Sequence, residues 1–321
     1  LIQSMPGEYT TGEVSNWIRH NKGSFYRFNK NYIENCTLEL GEGEPKLCFG
    51  ETKVNLNDIQ SVWLRKVGYQ KTVDLSHVED SVAFKTKLNK LVTNESNTFT
   101  KAIYKVLKNK PWLSRPDIIN LNKIDILMLA REAGLDIPIT LISSSKREIL
   151  AFIQKHKKVI TKNIYEAEIF EHNGYNYWQY TQQVKEEHLT NYDEEMFPCL
   201  LQKMIDKEVE LRIFYLNGKC YSMAIFSQLD EQTAMDFRKY NDVKPNRYVP
   251  YKLPEKIEIK IKKFMDLAGL NTGSIDMIKS KDGQYVFLEV NPVGQFGMTS
   301  RPCNYYLEKK VAEWLMNPTL D

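Results

Sequence analysis

Three dipeptides constrain this chain more than any other feature. Asn173-Gly174, Asn217-Gly218 and Asp282-Gly283 each interrupt a run of strand-like residues. Asn-Gly and Asp-Gly supply the positive φ angles of a two-residue type I′ turn, so each marks an antiparallel hairpin. The clearest is Asn217-Gly218, with Leu211, Ile213 and Tyr215 alternating before it and Tyr221, Met223 and Ile225 after it. That alternation puts Glu210 and Arg212 on the face opposite Leu211 and Ile213.

The Asp282-Gly283 hairpin poses a chemical question. With a two-residue loop, Asp276 lies directly across from Glu289, and Asn291 projects to the same side as Glu289. Facing carboxylates at roughly 5 Å destabilise a ladder. A divalent cation held by Asp276, Glu289 and the Asn291 amide oxygen would offset the repulsion, because hard cations select oxygen ligands and share them with substrate phosphates. The plain alternative is a solvated hairpin face whose carboxylates serve solubility.

The start of the chain reads strand, helix, strand: "LIQS", then "TTGEVSNWIRH" with a Thr10-x-x-Glu13 capping box, then "SFYRFN". Residues 36–56 suggest a hairpin, "SVWLRK" a further strand, and 79–109 one long or two shorter helices. A boundary is expected near Lys110, before the prolines of "KPWLSRP". The helix in "NLNKIDILMLAREAGLDIPIT" buries Ile124, Leu127 and Met128 and stops at Gly134. A strand at "IPITLIS", a helix capped by Ser145-x-x-Glu148, and the strand "KVITKNIY" with Lys162 near its centre follow. Helices over 255–268 and roughly 304–315 flank the last hairpin.

At 321 residues and 42% hydrophobic content the chain can bury a sizeable core and divide into subdomains, read as 1–110, 111–200 and 201–321. A net charge of +3, from 44 basic and 41 acidic residues, gives no global argument for nucleic acid or membrane. Cys36, Cys48, Cys199, Cys220 and Cys303 are widely spaced, with no Cys-x-x-Cys, and read as free thiols of a reducing compartment. No signal segment precedes the first strand and no apolar run approaches the ~18 residues of a membrane span, so the cytoplasm is expected.

Neither a Gly-x-x-x-x-Gly-Lys-Ser/Thr run nor a Gly-x-Gly-x-x-Gly after a strand is present, which disfavours the common helix-N-terminus nucleotide sites. The five histidines include no pair at helical ligand spacing, and no Gly-x-Ser-x-Gly elbow appears. Lys162, inside a strand, suits a phosphate as a compact point charge; it would equally serve as an edge-strand charge against aggregation. Arg212 could clamp a phosphate or carboxylate, or pair with Glu210.

The order "NKIDILMLAREAGLDIPIT", Lys162 in "VITKN", "LLQKMI", "ELRIF", "SIDMI" and "FLEVNP" resembles the ATP-grasp ligases over about residues 115–315, with Asp276 and Glu289-x-Asn291 the most specific part. Adding "TTGEVSNWIRH", "VWLRK" and "NPVGQFGMTSRPCNYYLEKKVAEWL", nearly the whole chain resembles the graspetide synthetases of microviridin type, the grasp-with-spasm kind in particular. The resemblance implies an α/β protein with α+β subdomains: an ATP-grasp fold behind an N-terminal α/β pre-ATP-grasp domain. It implies that Asp276, Glu289 and Asn291 hold Mg²⁺, as two ions. Lys123 and Lys162 would touch the ATP phosphates, and the backbone of Gln202, Lys203, Met204 and Ile205 would form the adenine hinge. Glu210 would lie in the ATP site, and Arg212 would stabilise the phosphoryl group in flight. The hinge often reads Gln-Glu where Gln202-Lys203 stands, and Asp-x-Arg reads Glu210-Leu211-Arg212 here.

The implied activity is ATP-dependent activation of Asp or Glu side chains of a ribosomal precursor peptide. Thr or Ser would then close ω-esters, and Lys ω-amides. Arg65, Lys66, Arg238 and Arg247 are candidates for meeting acidic peptide residues. A homodimer without nucleic-acid or membrane partners is expected from the family. Two other readings share these residues: a ligase joining free amino acids to a carboxylate, and a nucleotide-binding regulator without turnover.

Overall fold

The computed structural model describes residues 1–29, 35–41, 43–66, 74–119, 122–165, 169–178, 180–226 and 246–318. It divides into two compact units, one of Leu1–Ile119 with Tyr306–Asp321, the other of Asn120–Tyr305. The unit boundary falls beyond Lys110. The C-terminal helix Leu307–Met316, expected in the last subdomain, packs against the first helix of the chain instead.

The first unit begins with β1 (Ile2–Ser4), α1 (Tyr9–His20) and β2 (Arg27–Asn29). The 36–56 segment forms a three-stranded meander, β3 (Cys36–Glu39), β4 (Lys46–Phe49) and β5 (Thr52–Asn55), where a hairpin was expected. Then come β6 (Val62–Leu64), one long helix α2 (Val82–Val106) and β7 (Trp112–Leu113). The four-stranded sheet has the order β2-β1-β6-β7 with every pair parallel. Phe28, Leu47, Val54, Leu64, Ile103 and Leu107 form a core beneath it. Glu8, not a Thr10 capping box, caps α1: its Oε2 accepts from the Thr11 amide at 2.5 Å and the Thr11 hydroxyl at 2.6 Å. The anion at this helix start is therefore built into the chain.

The second unit holds α3 (Lys123–Glu132), β8 (Thr140–Ser145), α4 (Lys146–His156) and β9 (Val159–Lys162). The pair β10 (Ile169–His172) and β11 (Tyr175–Trp178) follows, then β12 (Gln182–Val184) and β13 (Glu195–Lys203). A four-stranded antiparallel sheet runs β12-β9-β13-β8, and α4 covers one face through Ile149 and Ile153 against Val159 and Leu201. The expected boundary at residue 200 would cut β13 in two. On α3 the buried residues are Ile126, Leu127 and Ala130, whereas Met128 is exposed, so the helix is rolled from the face the periodicity suggested.

The chain continues through β14 (Lys207–Leu216), β15 (Lys219–Phe226), β16 (Arg247–Tyr251), α5 (Glu255–Leu267), β17 (Thr272–Ser280) and β18 (Tyr285–Asn291). These strands form an antiparallel sheet of order β16-β15-β14-β17-β18. One face packs on α5, where Phe264 and Phe287 meet at 4.7 Å between ring centroids. Truncating either ring would cost about 3–5 kcal/mol. Among the described residues no helix is long and apolar enough to cross a membrane, and all five cysteines are free.

Two of the turn dipeptides behave as their composition dictates. Asn173 and Gly174 adopt φ of 52° and 77°, and Asn217 and Gly218 of 41° and 82°, closing two-residue loops between His172 and Tyr175 and between Leu216 and Lys219. The third differs. Lys279 pairs with Tyr285, the Gly283 amide donates to the Ser280 carbonyl at 2.9 Å, and the Ser280 amide to the Gln284 carbonyl at 2.9 Å. The loop thus has three residues, with Gly283 in the left-handed region. The Ser280 hydroxyl favours it by accepting from the Gln284 amide at 3.0 Å, and the Lys281 amide is anchored on the Asp206 carbonyl at 2.9 Å.

Candidate active site

The extra loop residue should have shifted the register by one. A β-bulge at Leu288 cancels it: Met277 pairs with Phe287, and the next pair is Asp276 with Glu289. Ser274 then pairs with Asn291, so Asp276, Glu289 and Asn291 occupy neighbouring positions away from the α5-covered face. Between them the bulge also resets the alternation, leaving Phe287 and Met277 buried, Phe287 against α5.

Arg212 on β14 lies opposite Asp276 on β17. Its Nη1 donates to both carboxylate oxygens, at 2.6 and 2.5 Å, and the two side chains are only 12% and 17% exposed. Burial pushes the Asp276 carboxyl up to about 6; the Arg212 charge opposes that, while Glu289 and Glu210 add to it. Arg212 Nε is buried with no hydrogen-bond acceptor among the described residues. The site therefore has more negative charge than Arg212 offsets, and a buried donor suited to an anion.

Lys207, which the sequence reading passed over, forms a buried ion pair with Glu210. Three residues apart, they would point to opposite faces of a regular strand. An irregularity between Lys207 and Val209 turns them toward each other. The spacing hid the pair.

The other expected nucleotide residues sit on or beside the four-stranded sheet. Lys162 ends β9, rather than lying at its centre, across from Leu200. Lys123, first residue of α3, donates from Nζ to the carbonyls of Asn163 at 3.1 Å and Tyr165 at 3.0 Å, so it grips the segment that follows Lys162. Gln202 is buried, its side-chain amide donating to the Thr140 hydroxyl at 3.1 Å. The Lys203 amide donates to the Ile139 carbonyl and the Met204 amide to the Lys158 carbonyl, both at 2.9 Å. Lys203 is exposed, and Met204 and Ile205 are half-buried. This segment joins the two sheets, tied to the entrance of β9 on one side and, through Asp206, to the 280s turn on the other.

Of the residues expected to meet an acidic peptide, Arg65 does not qualify. It is 1% exposed and paired with the Glu8 carboxylate at 3.3 Å, an internal ion pair beneath α1. A strand end carrying a basic residue looks alike in sequence whether it is solvated or enclosed. Lys66 is half-buried; Arg247 is exposed and stands over the Phe226 ring at 5.8 Å. Arg238 lies outside the described residues.

Among the described residues no group of three or more His, Cys, Asp or Glu is placed to hold a metal. Two carboxylates and an amide oxygen fit a different kind of ion. Mg²⁺ is bound through one or two carboxylates while keeping waters and substrate phosphates as its other ligands. The Asn291 Oδ1 accepts from the Val293 amide at 3.1 Å, which fixes the side chain and leaves its oxygen a second lone pair. The donor set fits such an ion.

No family model matches the chain, and no curated protein does. Solved structures do. A RiPP-associated ATP-grasp ligase of Chryseobacterium gregarium, in complex with ADP and a leader and core peptide, is 25% identical; the match covers 99% of this chain and 96% of that one, with a TM-score of 0.83. The macrocyclase MdnC of Microcystis aeruginosa MRC, bound with precursor peptide MdnA, is also 25% identical, covers 98% of both chains and has a TM-score of 0.81. The ATP-grasp ligase PsnB, complexed with minimal precursor, Mg and ADP, shares the fold at 17% identity and a TM-score of 0.78.

Proposed function

We propose that this chain, an ATP-grasp ligase matched end to end by RiPP-associated macrocyclases, matures a ribosomally made precursor peptide. It uses ATP to activate Asp or Glu side chains and closes ω-ester rings with Thr or Ser, or ω-amides with Lys. The observation that carries the reading is the facing pair Asp276 and Glu289 with Arg212 bound between strands beside it. The facing carboxylates cost the fold stability, and with a cationic donor beside them they suit phosphoryl transfer.

A carboxylate is a poor acylating agent. Attack of the peptide carboxylate on the γ-phosphate gives an acyl phosphate and ADP; attack of the peptide hydroxyl or amine on its carbonyl then releases phosphate. Asp276, Glu289 and Asn291 would hold Mg²⁺, in two ions, which when bound neutralise charge on the transferring phosphoryl group. Arg212 supplies a cationic donor at the same strands. Lys123 and Lys162 act at the ATP phosphates, Lys123 also holding the segment after β9, and residues 202–205 receive the adenine. Arg247 and Lys66 are left as candidates for acidic peptide residues. We further propose a homodimer working in the cytoplasm, consistent with five free thiols.

Intact-mass spectrometry of a candidate precursor peptide, incubated with protein, ATP and Mg²⁺, tests the reading. One water lost per ring is expected, with ADP release dependent on the peptide. ADP release driven instead by free amino acids, with no change in peptide mass, would replace macrocyclisation by amino-acid ligation.

A further inference from the structure

We infer that Arg212 and the divalent cation compete for the Asp276 carboxylate, so that Arg212 makes cation binding depend on nucleotide. The inference rests on the proposed cation site. Arg212 Nη1 lies 2.6 and 2.5 Å from the two Asp276 oxygens. Its guanidinium donates to both oxygens, so a cation that gains either of them displaces a charge-assisted hydrogen bond.

Where Arg212 can go is restricted. Glu210, two residues away on the same strand face, is engaged by Lys207. Both Arg212 and Asp276 are largely buried, so neither charge can be left unpaired without a large penalty. A nucleotide phosphate resolves the exchange: it accepts from the guanidinium, including the Nε that has no acceptor among the described residues, and leaves Asp276 to the cation. Each buried charge keeps a counterion throughout. Cation and nucleotide are then linked through Arg212, each raising the affinity of the other.

Mn²⁺ binding to the full chain, measured by electron paramagnetic resonance with and without the non-hydrolysable analogue AMPPNP and corrected for Mn²⁺ chelated by free nucleotide, tests this. Arg212→Gln should bind Mn²⁺ about tenfold more tightly than wild type in the absence of nucleotide, as expected for losing a charge-assisted competitor. With AMPPNP present the two proteins should differ far less, so the coupling shrinks. Arg212→Lys, which keeps the charge on a single ammonium, should fall between them. An equal gain with and without AMPPNP would make Arg212 a repelling charge only and overturn the proposal; so would no gain. Wild type that fails to bind Mn²⁺ even with AMPPNP would overturn the cation site itself, and the competition with it.

Discussion

Asp276 and Glu289 face each other because a three-residue turn and a bulge at Leu288 cancel in register. The repulsion between them is a standing cost to the fold. Glu289→Gln removes it, so in EDTA the variant should be more stable than wild type by roughly 0.5 kcal/mol. The same change should abolish water loss from the peptide. Thermal melts in EDTA and intact-mass assays check the two halves; a variant both less stable and active would contradict the assignment. Gain in stability with loss of function is the signature of a site kept against the fold's interest.

Glu8 and Arg65 offer a pH-dependent counterpart in the first unit. Burial raises the Glu8 carboxyl, but hydrogen bonds from Thr11 and Thr10 and the Arg65 charge outweigh it, leaving the group below its ordinary 4.5. A depressed carboxylate contributes stability that is complete above the unfolded value and fades as pH falls through the folded one. Glu8→Gln should therefore cost about 3 kcal/mol at pH 7, leaving Arg65 buried without its carboxylate. The gap to wild type should narrow once pH falls below 4.5. Adding Arg65→Met should recover most of the loss. Urea unfolding of wild type and the two variants across pH measures all of this.

Local chemistry carried much of the fold into the sequence. Asn-Gly demands two positive φ angles, and both Asn-Gly turns appear where the dipeptides stand. Alternation gave the face shared by Glu210 and Arg212. What the sequence hid were irregularities, because a bulge has no composition of its own. Asp276 opposite Glu289 was read from a two-residue turn that does not form; the bulge at Leu288 restores the pairing. The Lys207–Glu210 pair depends on another bulge, and the enclosure of Arg65 on tertiary packing, which strand-end residues do not announce.

Lys123 grips the carbonyls of Asn163 and Tyr165, and its proposed second role is to meet an ATP phosphate. Lys123→Met should raise the KM for ATP about tenfold, the equivalent of one or two lost charge-assisted hydrogen bonds. Steady-state ATP titration at saturating peptide checks it. A lower melting temperature with unchanged KM would reduce Lys123 to a loop clasp.

Gly294 tests whether the turn after β18 positions Asn291. A Cβ at Gly294 would lie 2.6 Å from Ser274 Cβ, 2.8 Å from its Oγ and 3.0 Å from the Asn291 carbonyl. The Gly294 amide donates to that same carbonyl at 3.0 Å, so the turn folds back over the strand that pairs with Asn291. Real Cβ atoms do not approach so closely, and Gly294→Ala must push the turn away from Ser274 at about 1–3 kcal/mol. Because Asn291 opens the turn, its side chain moves too, and AMPPNP-dependent Mn²⁺ affinity should fall along with stability. Ser274→Gly removes the two side-chain atoms in the clash. Combined with Gly294→Ala it should restore both quantities in part, giving a favourable interaction energy in a double-mutant cycle. Strictly additive losses would mean that the turn and the proposed cation ligands are mechanically independent, and that Asn291 is held by the Val293 amide alone.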